Sequence, residues 1–174
     1  ILLGRGADSF TVRSTADGAI TAVHGGTGSD RITVLGRGTT DARGIRAALV
    51  VFGDTSRDGS RYAKPSSSNT PMPGFAIARS MAGNDLIDAS ASARSIVAFG
   101  GRGDDTILGG AGGDQLAGGS GNDSISGNGG ADLIRGDGGV DLDLANRVLA
   151  FVDSSGLLTG VAGDALADPG SDIL

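Results

Sequence analysis

Apolar residues occur in short stretches separated by polar, glycine-rich segments along most of the chain. Four of these stretches are predicted to be β-strands because they are short and are followed by turn-forming residues. They are residues 19–23, 32–35, 45–52 and 95–99. Residues 145–166 are also partly apolar, but their pattern leaves two strands and one short helix equally open.

Between residues 100 and 144 the apolar positions become strictly periodic, and five nine-residue repeats follow one another without a gap. Glycine occupies positions one and four of every repeat, and aspartate occupies position six. The position-six residues are Asp105, Asp114, Asp123, Asp132 and Asp141. Position eight is aliphatic in the first four repeats, as Ile107, Leu116, Ile125 and Ile134. Asp143 takes that position in the fifth, so the regular pattern ends there.

The composition points away from an ordinary compact core. The 174 residues include 33 glycines and only 3% aromatic residues, which suits one elongated module. There is no cysteine, which excludes a disulfide scaffold, a thiol nucleophile and a cysteine-based zinc site. All 20 acidic residues are aspartate, the acidic residue that favours turns and tight metal sites.

The net charge of −6 is concentrated on the repeats, where residues 100–144 carry eight aspartates against two arginines. Such a surface repels nucleic acid and attracts cations, so no nucleic-acid partner is expected. No apolar stretch of about 18 residues is present, so no transmembrane segment is expected. The hydrolase signatures GxSxG and HExxH are absent, so we expect no enzyme and no catalytic residue. His24, the single histidine, is expected at the surface.

The repeat unit GGxGxDxUx, in which U is a large aliphatic residue, resembles the RTX or hemolysin-type repeat over residues 100–144. The resemblance implies an all-β fold, a parallel β-roll in which xUx is a strand, GGxGxD is a turn and two repeats complete one coil. It also implies calcium ions bound in the turns. The residue types agree with this, because glycine allows positive φ and calcium prefers six to eight oxygen ligands.

The resemblance further implies that turns on the same side of successive coils share an ion. The expected pairs are Asp105 with Asp123, Asp114 with Asp132, and Asp123 with Asp141, so at least three calcium ions are expected within 100–144. Backbone carbonyls are expected to complete the sites. They belong to Gly100, Gly101, Gly103, Gly109, Gly110, Gly112, Gly118, Gly119, Gly121, Gly127, Asn128, Gly130, Gly136 and Gly139.

Weaker copies of the motif lie outside the regular run. They are GGTGSDRIT at 25–33 with Asp30, and partial copies at 3–11 with Asp8, at 81–88 with Asp85 and at 167–174 with Asp172. Their spacing suggests coils with one calcium-type turn and one plain turn, which makes Asp8/Asp30 and Asp85/Asp105 additional candidate pairs. The alternative for Asp8, Asp30 and Asp85 is a structural turn without metal.

Three regions are expected along the chain. Residues 1–99 are predicted to form degenerate solenoid coils with a Pro/Ser-rich excursion at 53–74. Residues 100–144 form the regular roll, and 145–174 form an irregular C-terminal coil that enters another repeat. The chain is expected to be a slice of a longer array, with neighbouring repeats of the parent chain as its partners.

The expected function is that of a calcium-binding module of a large secreted or surface bacterial protein, such as an adhesin or surface-layer-like protein. Each repeat buries about one aliphatic side chain while it orders nine residues, so folding is expected to require calcium. The resemblance implies type I secretion, an extracellular or cell-surface location and room for cell-surface or matrix partners. The alternative is an accessory module of a secreted protease, lipase or polysaccharide-modifying enzyme, with catalysis outside this chain.

Overall fold

The computed structural model describes residues 1–36, 44–54, 83–137 and 173–174 of the chain. These residues form eleven short β-strands and no helix. The strands are β1 (Leu2–Arg5), β2 (Ser9–Val12), β3 (Thr21–Thr27), β4 (Arg31–Val34), β5 (Leu49–Phe52), β6 (Leu86–Asp88), β7 (Val97–Arg102), β8 (Thr106–Leu108), β9 (Gln115–Ser120), β10 (Ser124–Ser126) and β11 (Leu133–Asp137). In this described part, no helix is long and apolar enough to cross a membrane.

Successive strands alternate between two sheets. The odd-numbered strands form a six-stranded sheet in the order β1-β3-β5-β7-β9-β11, and the even-numbered strands form a five-stranded sheet in the order β10-β8-β6-β4-β2. The strand pairs are parallel in both sheets. One coil therefore consists of one strand from each sheet and two turns. The predicted all-β fold, a parallel β-roll, is confirmed.

The pairing register sets the length of a coil. In the regular part Thr106 pairs with Ser124 and Gln115 pairs with Leu133. Equivalent residues there are 18 apart, which is two nonapeptides per coil. Earlier coils are longer, with separations of 22 residues at the start of the chain and 20 between β6 and β8.

The roll continues in register across a long interruption. Strand β5 pairs with β7, and β4 pairs with β6, although residues 55–82 intervene and lie outside the described residues. The predicted excursion at 53–74 falls mostly on this segment. Its first two residues, Gly53 and Asp54, directly follow β5 and are described.

Two columns of aliphatic side chains fill the space between the sheets. The five-stranded sheet contributes a register-matched column of isoleucines, and the six-stranded sheet contributes a mixed column. The isoleucines are Ile32, Ile87, Ile107 and Ile125. The facing residues include Val23, Val51, Ala98 and Leu116, all buried. Each buried Val, Leu or Ile side chain contributes roughly 1.5–3 kcal/mol, so the core is a stack of small layers.

A second apolar cluster lies on the opposite face of the six-stranded sheet. It contains Val50, Phe52, Val97, Phe99 and Ala117. His24 joins it, because its ring is buried and stacks on Phe52 with centroids 4.5 Å apart. The surface position expected for His24 was therefore wrong. Strand alternation puts it on the same face as Phe52, its pairing partner in β5.

Candidate metal centre

Five aspartates line one side of the roll, where strands of the six-stranded sheet lead into strands of the five-stranded sheet. We call this side the aspartate edge. Each of the five stands immediately before an even-numbered strand. They are Asp8, Asp30, Asp85, Asp105 and Asp123. The glycines before them form the turns, so parallel pairing stacks the position-six aspartates into one row.

The carboxylates of this row join one coil to the next. The backbone N–H of Asp8 donates to Oδ1 of Asp30 at 2.8 Å, and that of Asp30 donates to Asp85 at 2.7 Å. The series continues from Asp85 to Asp105 at 2.7 Å and from Asp105 to Asp123 at 2.8 Å. The predicted pairs Asp8/Asp30, Asp85/Asp105 and Asp105/Asp123 therefore lie side by side. The Asp30/Asp85 contact, across 55 residues, was not predicted.

The second carboxylate oxygen of most row members has no such partner. Oδ2 is buried and accepts no hydrogen bond in Asp8, Asp30, Asp85 and Asp105. A buried acceptor without a partner costs about 1–3 kcal/mol, and more when it is charged. These oxygens therefore require a positively charged or hydrogen-bonding group that the described residues do not provide.

At two turns of the aspartate edge, a buried Oδ2 lies beside a backbone carbonyl from the next coil. A Cβ added to Gly100 would collide with Oδ2 of Asp105 and would stand 2.6 Å from the carbonyl oxygen of Gly118. A Cβ added to Gly53 would collide with Oδ2 of Asp85 and stand 2.5 Å from the carbonyl of Gly100. Position one must be glycine here, because a carboxylate and a carbonyl oxygen converge on its α-carbon.

The same arrangement recurs one coil earlier. At Gly25, an added Cβ would collide with Oδ2 of Asp30 and with the carbonyl oxygen of Gly53. The full match predicted for 25–33 thus adopts the geometry of the regular repeats. Paired carboxylate and carbonyl oxygens are the ligand types that calcium prefers, so the residues fit a bound calcium ion.

Burial perturbs the carboxylates strongly. It is the main reason that the pKa of Asp105 is raised to about 9, with repulsion from Asp85, Asp123 and Asp54 adding to it. Burial likewise raises the pKa of Asp85 to about 7. It also raises the pKa of Asp30. A row of aligned negative charges in poorly solvated turns attracts a cation to this edge.

The opposite edge of the roll carries a shorter row of two aspartates, and their hydrogen bonds differ from those of the aspartate edge. The N–H of Asp114 donates to Oδ1 of Asp132 at 2.8 Å, so these two predicted partners are also adjacent. Asp114 itself accepts the N–H of Ile96 at Oδ1 and that of Gly110 at Oδ2. A Cβ added to Gly109 would stand 2.5 Å from Oδ2 of Asp114 and 2.7 Å from the carbonyl of Gly127. The oxygen pairing therefore exists here too, but both Asp114 oxygens already accept hydrogen bonds.

The carbonyl oxygens predicted as calcium ligands differ in what they contact. Those of Gly100, Gly118 and Gly127 converge with an aspartate oxygen as described above. Those of Gly101, Gly103 and Gly112 instead lie against the α-carbons of glycines in the next coil. The carbonyl of Gly109 accepts a hydrogen bond from the side chain of Asn128, which adopts a positive φ of 62°. Gly139 and Asp141 lie outside the described residues.

The roll neighbour of β10 differs from the one expected. The pair Asp123/Asp141 requires the residues after Asp141 to lie beside β10, but Ile173 pairs with Ser124 there. The N–H of Ile173 donates to the carbonyl of Asp123 at 2.8 Å, the same bond that links the preceding coils. The end of the partial motif at 167–174 thus lies in the roll next to β10.

One acidic residue of the aspartate edge was not predicted from the sequence. Asp54 follows Gly53 in the interrupted turn, and burial raises its pKa to about 7. The dipeptide at 53–54 and the GND at 83–85 are two halves of one nonapeptide turn. A repeat pattern that allows an insertion at position three would have included it.

Within the described residues, no three acidic or histidine side chains converge as a metal cluster. A cation at either edge would therefore be held by one or two carboxylates together with backbone carbonyls. This is the ligand mixture that the glycine positions supply.

The fold and its turns define a parallel β-roll with glycine- and aspartate-lined edges. The family model of the RTX calcium-binding nonapeptide repeat (4 copies) matches residues 97–125 and 108–143, so this part of the chain consists of RTX repeats. Repeats of this family bind calcium, as the resemblance implied. No curated protein and no solved structure matched the chain.

Proposed function

We propose that this chain is a calcium-binding module that folds when calcium enters its turns. The observation that carries the proposal is the row of buried, unpartnered Oδ2 atoms at Asp8, Asp30, Asp85 and Asp105. Three of these four face a carbonyl oxygen from the next coil. Calcium would supply the missing positive charge and would tie adjacent coils together, so binding energy would become folding energy.

The proposed ions lie between successive turns. On the aspartate edge they would contact Asp30 with Gly53, Asp85 with Gly100, and Asp105 with Gly118. On the opposite edge an ion would contact Asp114 with the carbonyl of Gly127. Asp123 and Asp132 are proposed as the partners of Asp105 and Asp114 in these sites, as the nonapeptide spacing predicts.

We place the module in a secreted bacterial protein, outside the cell. RTX repeats are typical of such proteins, which leave through type I secretion. Extracellular calcium modules work at about 10⁻⁴–10⁻³ M, a concentration that the cytosol does not reach. The chain would thus remain unfolded before export and fold after it.

The module would have the same task in two kinds of parent protein. In an adhesin or surface-layer-like protein, the coils would extend a longer array. In a secreted protease, lipase or polysaccharide-modifying enzyme, they would support a catalytic domain encoded elsewhere. The sequence of the full-length gene distinguishes the two, through further repeats or through a catalytic motif such as HExxH or GxSxG.

Calorimetric titration of the calcium-free chain tests the proposal. We expect several calcium ions to bind per chain, and magnesium to bind far more weakly, because magnesium demands near-ideal octahedral geometry. An independent equilibrium dialysis gives the number of ions. The absence of bound calcium at millimolar concentration would overturn the proposed function.

A further inference from the structure

Position two of the turns on the aspartate edge is glycine at four places and aspartate at two. The strand register aligns these six residues with one another. They are Gly4, Gly26, Asp54, Gly101, Gly119 and Asp137. Asp54 stands where the roll is interrupted, since residues 55–82 follow it and the strand pairing continues on their far side.

The backbone conformation explains why position two need not be glycine at the interruption. Gly26, Gly101 and Gly119 have φ of 124°, 128° and 121° at this position. Among the described residues other than glycine, only Asn128 has a positive φ, so Asp54 does not share the glycine conformation. The chain therefore leaves the regular turn path at Asp54.

The roll resumes at position four of the same turn. A Cβ added to Gly83 would collide with the backbone of Gly28 in the preceding coil, and one added to Gly103 would collide with the carbonyl of Gly83. Gly53 and Asp54 are thus the first half of a nonapeptide turn, and Gly83 to Asp85 are its second half. Residues 55–82 replace position three.

The side chain of Asp54 turns back into the edge. Its Oδ2 accepts the N–H of Arg102 in the next coil at 2.8 Å. Its Oδ1 is buried and has no hydrogen-bond partner, and the residue as a whole is only 8% exposed. Burial is the main cause of its raised pKa, and repulsion from Asp30 adds to it, while the backbone N–H groups of Arg102 and Gly83 oppose it. Asp54 in turn repels Asp85 and helps to raise the pKa of that carboxyl.

A purely structural role does not explain the Oδ1 of Asp54. The N–H groups of Arg102 and Gly83 need only a neutral acceptor oxygen, which asparagine would supply without burying a charge. A charged carboxylate beside Asp85, with Oδ1 unpartnered, is costly unless a cation compensates it. The carbonyl oxygen of Gly100 accepts the backbone N–H of Asp54 at 3.0 Å, and it converges with Oδ2 of Asp85 on the α-carbon of Gly53.

We propose that Asp54 is an additional calcium ligand, outside the nonapeptide position-six set, in the site formed by Asp85 and the carbonyl of Gly100. This inference rests on the proposed calcium function. Asp54 and Asp85 lie on either side of the interruption, and an ion there would hold them together.

Calcium titration of two isosteric variants tests the proposal. Asp54→Asn keeps an acceptor for Arg102 but removes the charge. Asp104→Asn is the matched control, because Asp104 also accepts a backbone N–H from the next coil, that of Asn122, but is exposed. We expect Asp54→Asn to weaken one calcium site by about tenfold or more, since affinity follows the number of charged ligands. The control should change it by less than about threefold.

The outcomes separate this inference from the proposed function. If the wild-type chain binds no calcium, the proposed function fails and this inference fails with it. If wild type binds calcium and Asp54→Asn binds it equally well, only the role of Asp54 is overturned.

A wild-type crystal grown with calcium provides a test that does not depend on how the variant folds. Anomalous scattering locates each ion. An ion at about 2.3–2.6 Å from a carboxylate oxygen of Asp54 supports the proposal. An ion bound by Asp85 and Gly100, with the Asp54 carboxylate turned away from it, contradicts the proposal.

Discussion

The two carboxylate oxygens of Asp105 lie in different surroundings. Its Oδ1 accepts the N–H of Asp85 in the preceding coil, while its Oδ2 is buried near the carbonyl of Gly118 in the next one. The two oxygens thus have separate tasks, one in joining coils and one in the proposed calcium site. A substitution that keeps a hydrogen-bond acceptor for the N–H of Asp85 but removes the charge isolates the role of the carboxylate in the proposed calcium site.

We therefore predict that Asp105→Asn raises the calcium concentration at the folding midpoint by about tenfold. The amide still accepts the N–H of Asp85, but the site loses a charged ligand. Circular dichroism during a calcium titration measures the midpoint. Asp104→Asn, one residue away and exposed, is the control. Equal shifts in both variants would show that the buried carboxylate has no special role.

Asp114 should behave differently, because it accepts hydrogen bonds at both oxygens. Asp114→Ala leaves the N–H groups of Ile96 and Gly110 without their acceptor. We predict a loss of roughly 1–3 kcal/mol for each unsatisfied group, even in saturating calcium. Urea denaturation at high calcium measures it. Unchanged stability under these conditions would mean that water or other groups replace the carboxylate.

Gly119, at position two of its turn, and Gly129, at position three of another, provide a glycine test with a matched control. Gly119 has φ of 121°, and an added Cβ would collide with the carbonyl of Gly101. Gly129 has no such φ, and an added Cβ would stand 3.5 Å or more from its neighbours. We predict that Gly119→Ala destabilises the roll by more than about 1–2 kcal/mol, whereas Gly129→Ala is tolerated. Thermal unfolding in calcium compares the two, and similar melting temperatures would exclude a close backbone approach at Gly119.

Among the strands, each three-residue member of the regular roll contributes a single core side chain. In β8 this is Ile107, which is fully buried between Ile87 and Ile125. Such a strand has no second side chain to compensate for a lost one. The stability of the roll is therefore divided among coils rather than gathered in one centre.

Truncating the side chain of Ile107 should be costly. We predict that Ile107→Ala lowers the free energy of unfolding in calcium by about 2–5 kcal/mol, and Ile107→Val by about 0.5–1.5 kcal/mol. Denaturant unfolding at fixed calcium measures both. Losses of the same size for both variants would indicate that the column relaxes into the cavity.

The nonapeptide pattern predicted the strands of the regular roll, their pairing at 18 residues and the burial of Ile107, Leu116 and Ile125. These features depend on local turn chemistry and on a fixed period, so they can be predicted from the sequence alone. Asp54 and the contact between Asp30 and Asp85 depend on which turns become neighbours across an insertion. That information is not local, and a contiguous motif does not contain it. The burial of His24 was missed for the same reason, since it depends on Phe52 in another coil.

Across the whole roll, the stacked carboxylates make stability depend on pH as well as on calcium. Burial raises the pKa to about 7 at Asp54 and Asp85 and to about 9 at Asp105. An unfolded aspartate loses its proton near pH 4. The folded form thus binds more protons than the unfolded chain between about pH 4 and pH 9, so raising the pH across this window favours unfolding.

We predict that the calcium-free chain has more strand structure at about pH 4–5 than at pH 8. Saturating calcium should reverse this order, because protons compete with calcium for the same oxygens. Far-UV circular dichroism at both pH values, with and without calcium, gives the four states to compare. Strand content independent of pH in the absence of calcium would contradict the burial of charged carboxylates in this row.

The coupling of calcium binding to folding can be measured by far-UV circular dichroism at neutral pH, before and after a chelator removes calcium from the chain. We predict a strand spectrum at millimolar calcium, its loss on chelation and its return when calcium, but not magnesium, is restored. Strand content that stays unchanged after calcium has been stripped would show that the roll folds without the ion.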